Sequence, residues 1–259
     1  MKALFRWVVL VIVAAAALQL FFLTRIALMA TVDPQSTSFQ RSEAWRIATQ
    51  KGNPSTLLRT GLRWSQQWVP YEAISDNLKR AVIASEDGSF TNHDGVDWEA
   101  LEKAWQRNTQ AQERAARQGQ RQSSHSQFAP RAAARTPKVV GGSTITQQLA
   151  KNLLLSGERT LLRKGQEMVL AFELERMLSK ERILEVYLNS VEWGEGVFGA
   201  EAAARHYYRK SAAQLTPYEA ARLAVMLPRP KYFEKVPASG FLASRASTIV
   251  ARMRDAELP

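Results

Sequence analysis

Two adjacent carboxylates, Glu86 and Asp87, open the segment Glu86-Asp87-Gly88-Ser89-Phe90-Thr91-Asn92-His93-Asp94-Gly95, directly after the apolar run Ala81-Val82-Ile83-Ala84. A carboxylate at the end of a buried helix, flanked by aromatic and small residues, is partly desolvated. Desolvation raises its pKa and suits it to proton transfer near neutral pH. The same residues are rich in turn formers and read equally well as a solvated loop. A second segment runs from Gly141 to Asn152 (GGSTITQQLAKN). Its two glycines and Ser143 predict a loop-to-helix transition with free backbone N–H groups, a natural anion site. Within the helix, Thr144, Gln148 and Lys151 share one face, a polar stripe ending in a cation. Ile145, Leu149 and Leu153 line another face and fix it to the core. A solvated surface face is the alternative, though such faces more usually alternate Glu and Lys.

The third segment is Arg163-Lys164-Gly165-Gln166-Glu167. Lys164 and Glu167 are i, i+3 neighbours on a helix whose Leu161, Met168 and Phe172 stripe is expected to pack inward; taken singly, the pair reads as a surface ion pair. The fourth is the amphipathic helix Lys180 to Asn189. It is followed by a turn punctuated by Gly194, Gly196 and Gly199, which implies close backbone approach or positive φ, and then by a helix from Ala200 to Tyr208.

The elements that must position these residues are mostly helical. Ser75 is a natural N-cap for the helix carrying Leu78, Val82 and Ile83. Thr216-Pro217-Tyr218-Glu219 reads as a capping box with Pro at the first helical position, and its helix runs through Ala220 to Leu227 and stops at Pro228. Strand signals are sparse and no repeat is evident, so the fold class is mainly α. Residues 31–68 read as a stalk with Pro34, Pro54 and scattered Trp (Trp45, Trp64, Trp68), holding a short helix around Ser42 to Gln50. The stretch 107–138 is rich in Gln, Ala and Ser. It carries Arg107, Arg114, Arg117, Arg121, Arg131, Arg135 and Lys138 against Glu113. With almost no large apolar residues it cannot bury enough surface to order itself, so a mobile basic loop is expected, adhesion to anionic lipid being its functional alternative.

Trp7 to Leu23 contains one polar side chain, Gln19, and no charge, and the apolar character resumes from Ile26 to Ala30. A helix from Leu4 to about Leu23 spans roughly the 30 Å hydrocarbon core. Residues 1–30 therefore read as one transmembrane anchor. Lys2 and Arg6 place the N-terminus in the cytoplasm and the rest outside. Ala14-Ala15-Ala16 resembles a signal-peptide cleavage site, the competing reading. The chain carries no Cys, which excludes a disulfide framework and a thiolate metal site. Its net charge of +11 calls for anionic partners. Export makes nucleic acid an unsuitable partner and directs that charge to lipid head groups or phosphates.

Taken in order, the four segments resemble the glycosyltransferase domain of class A penicillin-binding proteins and the monofunctional biosynthetic peptidoglycan transglycosylases. The motif E-D-x-x-F-x-x-H-x-G is met at Glu86, Asp87, Phe90, His93 and Gly95. G-G-S-T-I/L-S/T-Q-Q-x-x-K-N is met from Gly141 to Asn152, R-K-x-x-E at Arg163, Lys164 and Glu167, and K/R-x-x-I-L-E-x-Y-L/M-N up to Asn189. The resemblance covers roughly residues 69–230 of a domain at 69–259, and the length points to the monofunctional type. The connection between the first two motifs, past Trp98 and Trp105, is longer than the family's usual one. Because the basic stretch joins two cleft-forming motifs and is strongly charged, it is expected near the cleft entrance or on the membrane surface.

The resemblance implies a lysozyme-like helical fold with a larger lobe and a smaller membrane-facing jaw. It also implies a reaction: the 4-hydroxyl of lipid II, a lipid-linked disaccharide, attacks the anomeric carbon of a growing chain linked to polyprenyl pyrophosphate, with inversion. By resemblance Glu86 is the general base, and Glu167 assists the leaving group or orients basic groups. Lys151, Arg163 and Lys164 stabilise the departing pyrophosphate. Thr144 and Gln148, with Ser143 and Asn152 in the same motif, position the donor, and Asp87, Phe90 and His93 shape the surroundings of the base. No metal-ligand cluster is visible and no cofactor is required, although Mg or Mn at the pyrophosphate is compatible with the chemistry. The implied partners are lipid II, the growing glycan and the membrane, with cell-division or penicillin-binding proteins as further candidates. The implied location is the bacterial cytoplasmic (inner) membrane, with the catalytic domain in the periplasm. Two competing functions remain at this point. One is a lysozyme-like lytic glycosidase, which needs no cluster of cations. The other is a non-catalytic scaffold that binds lipid II.

Overall fold

The structure, a computed structural model, describes residues 1–49, 64–125, 142–155, 158 and 160–259; Pro54, Gly141 and residues 126–138 of the basic stretch lie outside them. The fold is mainly α. The chain forms two compact units, the first comprising Met1–Val96 with Thr144–Pro259 and the second Asp97–Ser143.

The first unit begins with α1 (Lys2–Met29) and α2 (Ser38–Thr49). By length and composition α1 can cross a membrane, and nearly all of its most apolar stretch is exposed. Its last turns differ: Phe22, Ile26 and Met29 are buried against α6 (Leu161–Met177). Arg182 locks the exit of α1, donating from Nε to Met29 O at 2.7 Å and pairing with Asp33 at 2.8 Å. Helix α2 starts four residues before the expected Ser42, because Thr37 and Gln40 satisfy each other's backbone N–H groups.

Helix α3 (Asp76–Glu86) is N-capped by Ser75 as its sequence predicts, and buries Leu78, Ala81, Val82 and Ile83. It packs against α9 (Pro217–Met226) and α11 (Gly240–Arg252). The capping box at Thr216 and Pro217 is present, and the alanines of α9 let the backbones approach closely. At the centre lies α7 (Lys180–Ser190), with Ile183, Leu184, Val186, Tyr187, Leu188 and Asn189 all buried. Both α5 (Ile145–Leu154) and α6 pack beside it, α5 through Ile145, Leu149 and Leu153 as expected. Three short strands, β1 (Ser65–Gln66), β2 (Glu192–Gly194) and β3 (Val197–Phe198), form a sheet in the order β1-β3-β2. The β1–β3 pair is parallel and aligns Gln66 with Phe198; the β2–β3 pair is antiparallel and aligns Glu192 with Phe198. Gly199 then enters α8 (Ala200–Tyr208) at φ +85°, where a Cβ would stand 2.8 Å from Asn189 O. The glycine-punctuated turn thus meets both conditions its composition implies. Helix α10 (Pro230–Lys235) packs on β2.

Two expectations are corrected. The inward stripe of α6 is Glu167, Leu170, Ala171 and Leu174, whereas Leu161 is 92% exposed and Phe172 is also on the surface. The true stripe contains a carboxylate, which masks it in an apolar pattern. The second correction concerns the basic stretch, whose residues up to 125 continue α4 (Trp98–His125) instead of forming a loop. Ala, Gln, Arg and Glu are good helix formers, and no proline intervenes before Pro130. Within this second unit, Asp97 Oδ1 accepts from Ala100 N at 2.7 Å and closes the first turn of α4.

Candidate active site

Helix α3 delivers Glu86 at its last turn, and α5 brings Gln148 to it: Gln148 Nε2 donates to Glu86 Oε2 at 3.0 Å. The orientation of that amide is set from α7, because the Tyr187 hydroxyl donates to Gln148 Oε1 at 3.1 Å and leaves only the NH2 end for Glu86. Burial and the nearby carboxylates raise the Tyr187 pKa well above that of an ordinary phenol, so its hydroxyl stays a donor. Glu86 keeps a solvent-accessible edge while the protein around it penalises its charge. Desolvation raises its pKa above the ordinary carboxylate value and the neighbouring Asp87 adds to the rise; hydrogen bonds from Gln148 and Ser85 and the charge of Lys151 oppose it. A carboxyl group so placed can take a proton from an incoming hydroxyl.

Asp87 has a different task. Only 7% exposed, it accepts Ile145 N at 2.9 Å on Oδ2 and meets His93 Nε2 at 2.9 Å on Oδ1. Gly95 N donates to His93 Nδ1 at 3.2 Å, which leaves the ring proton on Nε2, facing Asp87. Phe90 is fully buried beneath Lys180, whose Nζ lies 4.6 Å from the ring centroid. Asp87, Phe90 and His93 therefore form the support behind Glu86.

The expected anion site at the start of α5 is corrected by these contacts. Asp87 fills the N-terminus of the helix from within the chain, where a carboxylate complements the helix dipole. Thr144 is the N-cap: its Oγ1 accepts from Gln147 N at 3.1 Å and donates to Gly95 O at 2.6 Å, and Gln147 completes a capping box. Thr144 is buried and does not share an open face with Gln148 and Lys151. Ser143 belongs to the second unit.

The open end of α5 carries the charge. Gln148, Lys151 and Asn152 line a cavity of about 480 Å³ together with Arg163 and Tyr187. Arg163 stands in the first turn of α6, where it donates to Glu167 at 3.0 Å; Lys164 donates to the other Glu167 oxygen. Glu167 is 3% exposed, so the pair expected at the surface is a buried carboxylate held between Arg163 and a Lys164 that still reaches solvent. The carboxylate holds Arg163 at the cavity wall, with Lys164 on its other side. Two cations on a wall that also bears the amide holding Glu86 can bind a departing anion beside a proton acceptor.

Two cavity residues were given no role by the sequence. Tyr187 belongs to the fourth motif but reads as one more large residue on a buried helix face. Glu192 follows the fourth motif on β2 and lines the same cavity. Among the described residues no group of three or more His, Asp or Glu side chains is arranged to hold a metal ion.

Comparison with known proteins agrees with this architecture. The chain matches the transglycosylase family over residues 53–120 and 126–254. It is 47% identical over 261 residues to the biosynthetic peptidoglycan transglycosylase of Herminiimonas arsenicoxydans, covering 100% of this chain and 99% of that protein. It is 48% identical over 259 residues to the protein of the same name from Bordetella pertussis (98% and 96% covered). The corresponding protein of Burkholderia thailandensis is 48% identical over 243 residues (94% and 82% covered). The chain belongs to the transglycosylase family, with that family's helical, lysozyme-like domain preceded by one helix long and apolar enough to cross a membrane.

Proposed function

We infer that the chain is a peptidoglycan glycosyltransferase that polymerises lipid II into glycan strands at a membrane. The observation that carries this reading is the joining of Glu86, through Gln148, to a cavity wall bearing Lys151 and Arg163. Glu86 takes the proton of the acceptor's 4-hydroxyl as that oxygen bonds to the anomeric carbon of the donor chain. The bond from that carbon to the pyrophosphate breaks, its electron pair leaves with the phosphate oxygen, and the configuration inverts. Charge grows on the leaving group during this step, so Lys151 and Arg163 bind the transition state better than the ground state. Glu167 serves by orienting Arg163 and Lys164. No cofactor enters the step; a divalent cation accompanying the pyrophosphate would be held by the phosphates.

The anchor suits such a substrate, because a tether confines enzyme and lipid-linked sugar to one surface. Leu161, Leu162, Val169 and Phe172 are exposed apolar side chains on α6, the helix that packs against α1, which supports contact with lipid. Burial of Phe22, Ile26 and Met29 in the domain supports a retained anchor over a cleaved leader. By the positive-inside bias the N-terminus is cytoplasmic and the domain periplasmic, at the inner membrane. The test is to incubate the purified full-length chain with labelled lipid II. Polymer is expected from the wild type and about 10²–10⁴-fold less from Glu86→Gln. Release of fragments from intact cell wall, without polymer from lipid II, would instead identify a lytic glycosidase.

A further inference from the structure

The cavity has a feature that the proton acceptor and the pyrophosphate cations leave unused. Glu43 of α2 and Glu192 of β2 also line it, and neither belongs to the four motifs. Lys231 of α10 links the two, with Nζ 2.5 Å from Glu43 Oε2 and 3.3 Å from Glu192 Oε1. Arg46 pairs with Glu43 at 2.8 Å and with Glu195, and Lys231 lies 3.9 Å from Glu195. Glu43, Glu192 and Glu195 thus outnumber Lys231 and Arg46, so the most enclosed of the three, Glu192, is the costliest to ionise. Glu192 is only 7% exposed; Lys231 and the Gly196 backbone favour its carboxylate, yet Oε1, 3.3 Å from Lys231 Nζ, has no well-directed hydrogen bond among the described residues. A buried carboxylate oxygen without a well-directed donor is costly unless a ligand supplies one.

The surroundings define that ligand. Phe39, Leu227, Pro228 and Pro230 give the cavity flat apolar surfaces beside the carboxylates. Apolar faces next to hydrogen-bond acceptors suit a pyranose ring, with C–H groups on its face and hydroxyl or acetamido N–H donors at its edge. We propose that Glu192 is a specificity-determining residue: its carboxylate accepts a hydrogen bond from a hydroxyl or acetamido N–H of a substrate sugar lodged against Phe39 and Pro228, with Lys231 holding the carboxylate in place. This rests on the glycosyltransferase reading above and assigns a sugar contact within that site.

Titration supplies a signature that a purely structural role lacks. Burial pushes the Glu192 carboxyl up to about 7, with Lys231 opposing the rise and Glu43 adding to it. The charged and titratable groups around it are Glu43 and Arg46 on α2, Lys231 and Glu234 on α10, Glu195 in the turn and Tyr207 on α8. The carboxylate, the stronger acceptor, forms as pH rises through that value, so substrate binding tightens from pH 6 to 8.

The experiment measures KM and kcat for lipid II polymerisation by the full-length chain, with Glu192→Gln and Glu192→Ala, across that pH range. Glu192→Ala should raise KM about tenfold at pH 8, the loss of one charge-assisted hydrogen bond, with kcat within about twofold. Glu192→Gln keeps the size and one acceptor and introduces no charge. It should remain folded, raise KM about threefold and flatten the dependence of KM on pH. A KM in Glu192→Gln that matches the wild type at every pH, or a loss confined to kcat, would overturn the assignment. A wild type that makes no polymer overturns the proposed function itself, and so is distinguished from a failure of Glu192 alone.

Discussion

Glu86 combines two demands that oppose each other. A general base works best with a pKa near the operating pH, and the enclosure that raises this pKa also makes the ionised form costly to the folded chain. Because the folded-state pKa exceeds that of the unfolded chain, Glu86 favours folding while it stays protonated. That contribution is lost as pH rises through the raised value. Glu86→Gln keeps the shape, can still bond Gln148, and carries no charge. It should therefore melt higher than the wild type at pH 8, with the difference shrinking as pH falls toward the ordinary carboxylate range. Polymerisation should fall about 10²–10⁴-fold. Melting curves at pH 8 and at lower pH, set beside lipid II turnover, check both halves. A variant that is inactive and also less stable at pH 8 would show Glu86 to be a structural anchor. The wild-type rate should rise with pH along an acid limb set above the ordinary carboxylate range.

At the scale of the element, the site depends on how α5 is held. Its N-terminus meets Asp87 and its first turn is closed by Thr144, so the chain fixes the axis from which Gln148 and Lys151 project. Thr144→Val removes the cap and the bond to Gly95 O while preserving volume. It should cost about 1 kcal/mol, lower the melting midpoint by about 2–4 °C and reduce kcat, and Thr144→Ser should restore both. Loss of stability with unchanged kcat would mean that the cap does not position Gln148. The caps at Ser75 and Thr216 were legible in the sequence, since each acts on a residue three positions away, whereas Thr144 read as part of a polar helix face and proved to be the cap itself. So were the inner face of α5 and the carboxylate ending α3, which follow from helical periodicity. What fills the start of α5 was not legible, because its partner Asp87 lies 58 residues away and local composition cannot show whether free N–H groups face solvent or a carboxylate. The buried stripe of α6 was hidden for a related reason. Glu167 reads as surface until Arg163 and Lys164 are seen to close around it. Glu192 was missed because its partners, Glu43 and Lys231, come from helices remote in sequence and from none of the motifs.

For the whole molecule, α1 divides by burial into two parts with different duties. Its first turns carry Val8, Leu10 and Ile12 on the surface, available only to lipid, whereas Phe22, Ile26 and Met29 belong to the same core as Leu170 and Leu174. Gln19 donates to Glu173 of α6, and Arg182 binds the carbonyl that ends the helix, so the last turns are joined to the domain by polar as well as apolar contacts. An anchor tied only by a flexible stalk would let the cavity sample every height above the bilayer. An anchor packed into the domain fixes that height, and with it the distance between Lys151 and the phosphate plane of the lipid. Position along α1 should then decide the effect of a substitution, even of one isoleucine against another. Ile26→Ala in detergent should cost about 2–4 kcal/mol and lower the melting midpoint by about 5–10 °C, while Ile12→Ala leaves it unchanged. The same pair, reconstituted in liposomes, separates folding from placement. Both variants should remain membrane-bound, and only Ile26→Ala should lose turnover of lipid II. Equal behaviour of the two would reduce α1 to a tether and transfer control of cavity height to the exposed apolar face of α6.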